Sequence, residues 1–294
     1  MKLRDMMLPP GWYPRQKDKI DEFLSPFTKN KGAMDSSGAI IVPHAGWYYS
    51  GKLAAEALAS LDPDAQTIAV IGGHLPGGMP ILAAFEEGVK TPLGAMEIDS
   101  ELRKKLEKQL SFMPDRYQDN TIEVLLPMVH YFFSNAKILW LRFPAELSSF
   151  EAGKALYNAA MDLGRRIAII ASTDLTHYGT NYGFYPHGKG RAALEWVKKV
   201  NDTAFINAVL DRDPKMVLKR ANEDQSSCSA GAVLGALGFT DQRIEIADKN
   251  EVTSPKLLKY QTSADISNDS TLNHSIDDYD VPDSFVGYAA ISLG

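Results

Sequence analysis

Ile40-Ile41-Val42-Pro43-His44-Ala45-Gly46-Trp47-Tyr48-Tyr49-Ser50-Gly51, followed at once by Lys52-Leu-Ala-Ala-Glu-Ala-Leu-Ala-Ser60, reads as a buried strand, a tight turn and a helix. Branched apolar residues end against a proline, a histidine and a glycine, and an alanine-rich helical run begins directly after them. The C-terminal edge of a strand, just before a helix, is where open α/β sheets bind ligands. His44 stands at that edge.

The pattern recurs. Thr67-Ile-Ala-Val-Ile-Gly-Gly73 is a near-continuous apolar run ended by glycines, and His74 follows it. Arg166-Ile-Ala-Ile-Ile-Ala171 leads through Ser172-Thr-Asp-Leu-Thr to His177. Unbroken apolar runs mark strands covered on both faces, as in parallel sheets. Parallel neighbours would bring His44, His74 and His177 to one sheet edge. With helical stretches at Lys52–Leu61, Glu151–Leu163, Gly190–Leu210, Pro214–Ala221 and Ala230–Leu237, the expected fold is a three-layer α/β/α sandwich with a mostly parallel central sheet. Ser100 is expected to cap a helix over Glu101–Leu110. Arg243–Ala247, Pro255–Ser263 and Phe285–Ser292 read as closing strands. Ser267–Ser284 reads as a polar, acidic surface loop. No repeat or linker interrupts the chain, so residues 1–294 are expected to form a single domain.

Bulk properties narrow the function. The 294 residues are 45% hydrophobic, enough for a sizeable core. A formal charge of -6 and a pI near 5.6 lack the basic footprint that nucleic acid requires. No apolar run approaches the roughly 20 residues of a membrane span. The N-terminus lacks a signal-peptide core, and the lone Cys228 fits a reducing cytosol. A cytoplasmic protein is expected, with neither nucleic acid nor membrane as partner.

Taken singly, a histidine at a strand end is more often a hydrogen-bonded structural residue than a ligand. Cys228 alone reads as a small buried hydrophobe. Tyr48, Tyr49 and Tyr178 read as packing residues, His130 as a helix residue, and His187 and His274 as solvated. Together, three histidines at strand ends point to a metal or acid–base centre. Cys228 precedes a helix, where a thiolate is favoured, and the thiolate is the metal-binding form. Asp174, three residues before His177, is placed to orient that ring or a ligand.

Several ordered motifs resemble one family. They are Gly11-Trp12-Tyr13-Pro14, Val42-Pro43-His44-Ala45-Gly46 through Tyr49-Ser50-Gly51, and Thr91-Pro92-Leu93-Gly94 with Ile98-Asp99. Ile122-Glu123-Val124 with Leu126-Pro127, Ser172 with Asp174 and His177-Tyr178-Gly179, and Val286-Gly287-Tyr288-Ala289-Ala290 complete the set. The chain resembles the Memo family, whose bacterial and archaeal branch is called AmmeMemoRadiSam system protein B. The resemblance implies a fold similar to class III extradiol dioxygenases, which cleave catechol rings with non-haem iron. It implies a metal site of His44, His74 and Cys228, with His177 as the nearby acid–base residue; if the chain is an oxidoreductase of this type, Tyr49 is expected to hydrogen-bond the substrate. The dioxygenases place a carboxylate where this chain has a thiolate, and the softer donor points to copper or an altered iron(II) chemistry.

The chain also departs from the family pattern. Gly72-Gly73-His74-Leu75-Pro76 stands where the family usually carries Gly-Pro-Ser-His-His, and Asp119-Asn120-Thr121 replaces Glu-His-Ser. Three functions remain in view. One is a metal-dependent oxidoreductase of dioxygenase type. The second is a non-catalytic module that binds a metal, a small molecule or a peptide in the same pocket. The third is a Cys–His hydrolase, with Cys228 as nucleophile and His177 as base.

Overall fold

The computed structural model describes residues 2–30, 38–246, 253–267 and 281–294. Ala247, His274 and most of the acidic Ser267–Ser284 stretch lie outside the described residues.

The strands in chain order are β1 (Leu3–Arg4), β2 (Ala39–Val42), β3 (Thr67–Leu75), β4 (Ile81–Ala83), β5 (Gly88–Thr91) and β6 (Gly94–Glu97). They continue as β7 (Phe112–Pro114), β8 (Lys137–Pro144), β9 (Ile167–Ser172), β10 (His177–Gly179), β11 (Lys256–Thr262) and β12 (Ser284–Ser292). The helices are α1 (Lys17–Leu24), α2 (Lys52–Leu58), α3 (Ser100–Leu106), α4 (Asn120–Glu123), α5 (Leu126–Phe132) and α6 (Ser148–Asp162). After them come α7 (Arg191–Trp196), α8 (Asp202–Leu210), α9 (Pro214–Glu223), α10 (Ala230–Ile246) and α11 (Ser263–Ser267).

The main sheet runs β10-β12-β2-β9-β3-β8-β4-β7, with β11 pairing to β12. Its centre, β2-β9-β3-β8, is parallel throughout. On one side β12 joins antiparallel to β2, and on the other β4 joins antiparallel to β8. The centre matches the apolar runs, which must be covered on both faces.

Residue alternation makes the three layers. Ile40, Val42, Ile68, Val70, Ile138 and Trp140 point to one core with α2 and α5. Ala39, Ile41, Ala69, Ile71, Leu139 and Leu141 point to the other, with α6, α8 and α10. The successive side chains of each strand therefore feed two separate cores.

Two local readings need correction. Arg243–Ile246, expected to start a strand, instead form the last turn of α10. Lys154 pairs with both Asp241 (2.7 Å) and Glu245 (3.2 Å), a four-residue spacing that faces one way only on a helix. Short alternation near Ile244 could not separate the two periods. Helix α3 is capped by Asp99 rather than Ser100, the carboxylate accepting from Leu102 N at 3.0 Å.

Because β2, β9 and β3 are adjacent and parallel, their C-terminal ends share one edge. The segment Leu8–Tyr13 docks beside that edge. Buried Glu123 accepts from Met7 N, Leu8 N and the Tyr13 hydroxyl at 2.8, 3.0 and 2.7 Å. Among the described residues, no helix is long and apolar enough to cross a membrane.

Candidate metal centre

His44 leaves β2 into the turn and is buried. Its backbone N–H donates to Asp174 Oδ1 at 2.8 Å, and its carbonyl accepts from Asn120 Nδ2 at 3.1 Å. Ring Nδ1 meets Ser172 Oγ at 2.8 Å, which leaves Nε2 facing Cys228 Sγ at 3.3 Å.

His74 arrives at the end of β3, with its ring 4.9 Å from that of His44 and edge-on to it. Its Nδ1 donates to Asp119 Oδ2 at 3.0 Å. A carboxylate only accepts, so Nδ1 holds the hydrogen and Nε2 is the nitrogen available to a ligand. Arg142 braces this arrangement. Its Nη2 lies 3.2 Å from Asp119 Oδ2, and its Nε donates to the Gly73 carbonyl at 2.9 Å.

Cys228 comes from the turn before α10, where its N–H donates to the Asp174 carbonyl at 3.3 Å. The close approach of that turn requires glycine at position 73. A Cβ there would sit 2.4 Å from Ser229 Cβ.

The outcome is a group of three donors, one each from His44, His74 and Cys228, all within 4.8 Å of one another. Electrostatics couple them. Burial opposes the Cys228 thiolate, but the positive charge of His44, its hydrogen bond and that of His74 hold the thiol well below its ordinary pKa. Burial likewise opposes charge on His74, yet Asp119 and Cys228 push it up to about 10. For His44, burial is outweighed by the charges of Asp174 and Cys228, so its pKa is raised.

The donor set fits a transition-metal ion. It offers two imidazoles and a thiolate, with one imidazole locked in the ligating tautomer by a carboxylate, the arrangement that orients metal-bound histidines.

His177 is not in this group. It opens β10 half-buried, with Nδ1 bonded to the Leu175 carbonyl at 3.1 Å and its ring 4.9 Å from Tyr182. Asp174 therefore does not hold the His177 ring by a hydrogen bond. It holds the His44 backbone, because Thr173–Thr176 turns its side chain back toward β2. The Cys228–His177 pair of the hydrolase reading is likewise replaced by Cys228–His44.

A cavity of about 460 Å³ opens beside the three donors. Asp174, His177 and Tyr49 line it, together with Trp12, Asn120, Tyr182 and Tyr288. Tyr48 and Tyr49 are not packing residues: they are 72% and 44% exposed. The π-helical turn Trp47–Gly51 buries Trp47 and turns the next two rings outward. Tyr178, by contrast, is buried against Phe285.

The turn bearing Asp174 and His177 is pinned from beneath by residues that no sequence motif singles out. Buried Asp202 accepts from the Thr176 N–H at 3.1 Å and from the Tyr260 hydroxyl at 2.7 Å. Asn201 donates to Thr176 Oγ1 at 2.9 Å. The bracing roles of Asp119 and Arg142 are equally absent from the motifs. Arg142 does leave a signal, a charged residue inside the apolar strand Lys137–Pro144.

The family model described as Memo-like protein matches residues 4–290. A MEMO1 family protein of Pyrococcus abyssi is 33% identical over 301 aligned positions, covering 96% of each chain. One from Thermococcus onnurineus is 31% identical over 299, again covering 96% of each. A solved structure of an uncharacterised Escherichia coli K12 protein aligns with a TM-score of 0.43 and 15% identity, over 87% of this chain and 99% of that one. The family match over residues 4–290, together with relatives 33% and 31% identical over 96% of the chain, shows that the chain belongs to the Memo-like family.

Proposed function

We propose that His44, His74 and Cys228 hold an iron(II) or copper ion and that the chain is a metal-dependent oxidoreductase of dioxygenase type. One observation carries the reading: three donors of metal-binding type lie within 4.8 Å, with Asp119 fixing the tautomer of His74. When bound, such an ion supplies the electron transfer and oxygen activation that this chemistry needs.

His177 is the acid–base residue in this reading. Its Nδ1 faces a carbonyl, which can only accept, so that nitrogen carries the hydrogen. In the neutral ring Nε2 is then a free base, on a residue that lines the cavity. Tyr49, which lines the cavity, hydrogen-bonds a substrate hydroxyl in this reading, and Asp174 holds the His44 backbone in place.

Protein purified without oxygen should contain close to one equivalent of iron or copper. His44→Ala and Cys228→Ser should each lose it by at least about 10–100-fold in affinity, since even losses outside the ligand set cost that much. His177→Ala should keep the metal and slow oxygen uptake with a catechol panel by about 10²–10⁴-fold. Unchanged metal content in both ligand variants would sink the metal site.

A second reading, a module that binds metal or peptide without turnover, is favoured by one feature. The exposed Tyr48 lines a shallow groove with Pro10, Gly11, Trp12 and Gly46 at the cavity's rim. Full metal occupancy with no oxygen uptake would select it.

A further inference from the structure

The cavity beside the three donors has an unusual balance of groups. Its aromatic walls are Trp12, Tyr49, Tyr182 and Tyr288. Among the described residues Asp174 is the one carboxylate that lines it, and no lysine or arginine does. The stretch from Gln261 to Gly294, which supplies Ser263, Pro282, Ser284, Val286 and Tyr288 to the wall, contains no lysine or arginine at all.

Asp174 is only 4% exposed, and its one ion-pair partner among the described residues is His44 at 3.9 Å. Its carboxylate lines the same cavity as the rings of Tyr49, Tyr182 and Tyr288, so a hydrogen-bond acceptor and aromatic faces border one space.

Three ligand classes can be compared. A carboxylate or phosphate would face Asp174 with no guanidinium or ammonium to receive it, against the usual rule for anion sites. A purely apolar ligand would strip water from Asp174, Asn120 and Asn181 without replacing their hydrogen bonds. An aromatic amine satisfies both constraints. Its ring packs on the aromatic walls, its ammonium group donates to Asp174 and the amide oxygens, and tyrosine faces attract the charge.

We propose that this cavity binds a small aromatic amine as its ammonium ion, with the positive group near Asp174 and walled by Tyr49, Tyr182 and Tyr288. The cavity's volume of about 460 Å³ lies within the range of small-molecule sites. The proposal rests on the oxidoreductase reading only in taking the occupant to be that site's substrate.

The test uses the full chain and three probes matched in ring and chain length: 2-phenylethylammonium, 2-phenylethanol and phenylacetate. Calorimetry should show the ammonium binding about tenfold tighter than the alcohol, between the effects of an exposed and a desolvated cation–π contact, and phenylacetate weakest. Tyr182→Leu should remove most of that preference, while Tyr182→Phe, which keeps the ring face, should retain it within about threefold. Equal binding of ammonium and alcohol, preferential binding of phenylacetate, or no binding of any probe would overturn the amine site. Metal content is measured on the same samples. Metal present with probes indifferent to charge sinks the amine proposal alone. Amine selectivity in a chain that takes up no iron or copper sinks the metal reading and leaves the amine site intact.

Discussion

His74 sits at φ +57°, in the left-handed region that residues other than glycine seldom occupy. Such a conformation costs about 1–3 kcal/mol and persists only when the surroundings over-determine it. Here the surroundings are Asp119 on ring Nδ1 and Arg142 on both Asp119 and the preceding Gly73 carbonyl. The strain turns the ring out of the strand's alternation and toward His44 and Cys228. The Asp119 carboxylate is therefore the hinge pin of the three-donor group. Asp119→Asn should keep a cooperative unfolding transition, because Arg142 retains Asp115 at 3.5 Å. It should weaken metal binding by about 10–100-fold, the usual effect of losing a histidine's orienting carboxylate. Titration of metal-free protein checks this, and an unchanged affinity would show that backbone geometry alone aims the ring.

Between residue and molecule, two π-helical turns shape the site, Trp47–Gly51 after His44 and Val197–Asn201 before α8. Such turns insert one extra residue per turn and re-aim the side chains beyond them. The first exposes Tyr48 and Tyr49. The second delivers Asn201 and Asp202 beneath the turn that carries His177. Neither is written in hydrophobic periodicity, which reads the first stretch as a tight turn before a helix at Lys52 and the second as ordinary helix within Gly190–Leu210. The buried Asp202 makes the second turn measurable. Burial pushes its pKa up from 3.8 to about 6, against the opposing pull of Thr176 and Tyr260. Between those values the folded state keeps a proton that the unfolded chain has lost. Its contribution is thus fully present below pH 4 and is lost as pH rises toward 6. The loss is about 3 kcal/mol at about 1.36 kcal/mol per unit. Urea unfolding of wild type and Asp202→Asn at pH 4.5 and 7.5 isolates this group. The variant should gain relative to wild type at the higher pH, and a difference that ignores pH would count against the assignment.

Across the whole molecule, legibility tracked burial. Ile40–Val42, Thr67–Ile71 and Ile167–Ala171 are covered on both faces, so their apolar runs announced a parallel centre, and the histidines at their ends share one edge. The antiparallel joining of β12 to β2 left no trace, because strand order depends on contacts distant in sequence. Asp119, Arg142 and Asp202 were hidden for a related reason: a buried charge is visible in a sequence, but its partner is not. The three donors stand at positions 44, 74 and 228, on segments that only the completed sheet brings together. An ion held by all three binds the folded chain and not the unfolded one. It must then stabilise the fold, by about 2.7 kcal/mol at a free concentration 100 times the Kd. For a chain of this size that corresponds to a rise in Tm of about 4 °C. Iron(II) without oxygen, or copper, should produce the rise in wild type, and Cys228→Ser should abolish it. Glu22→Gln, on a remote exposed carboxylate paired to Lys19, should leave it unchanged. A rise that survives Cys228→Ser would place the ion elsewhere and would remove the reason for treating this edge of the sheet as a metal centre.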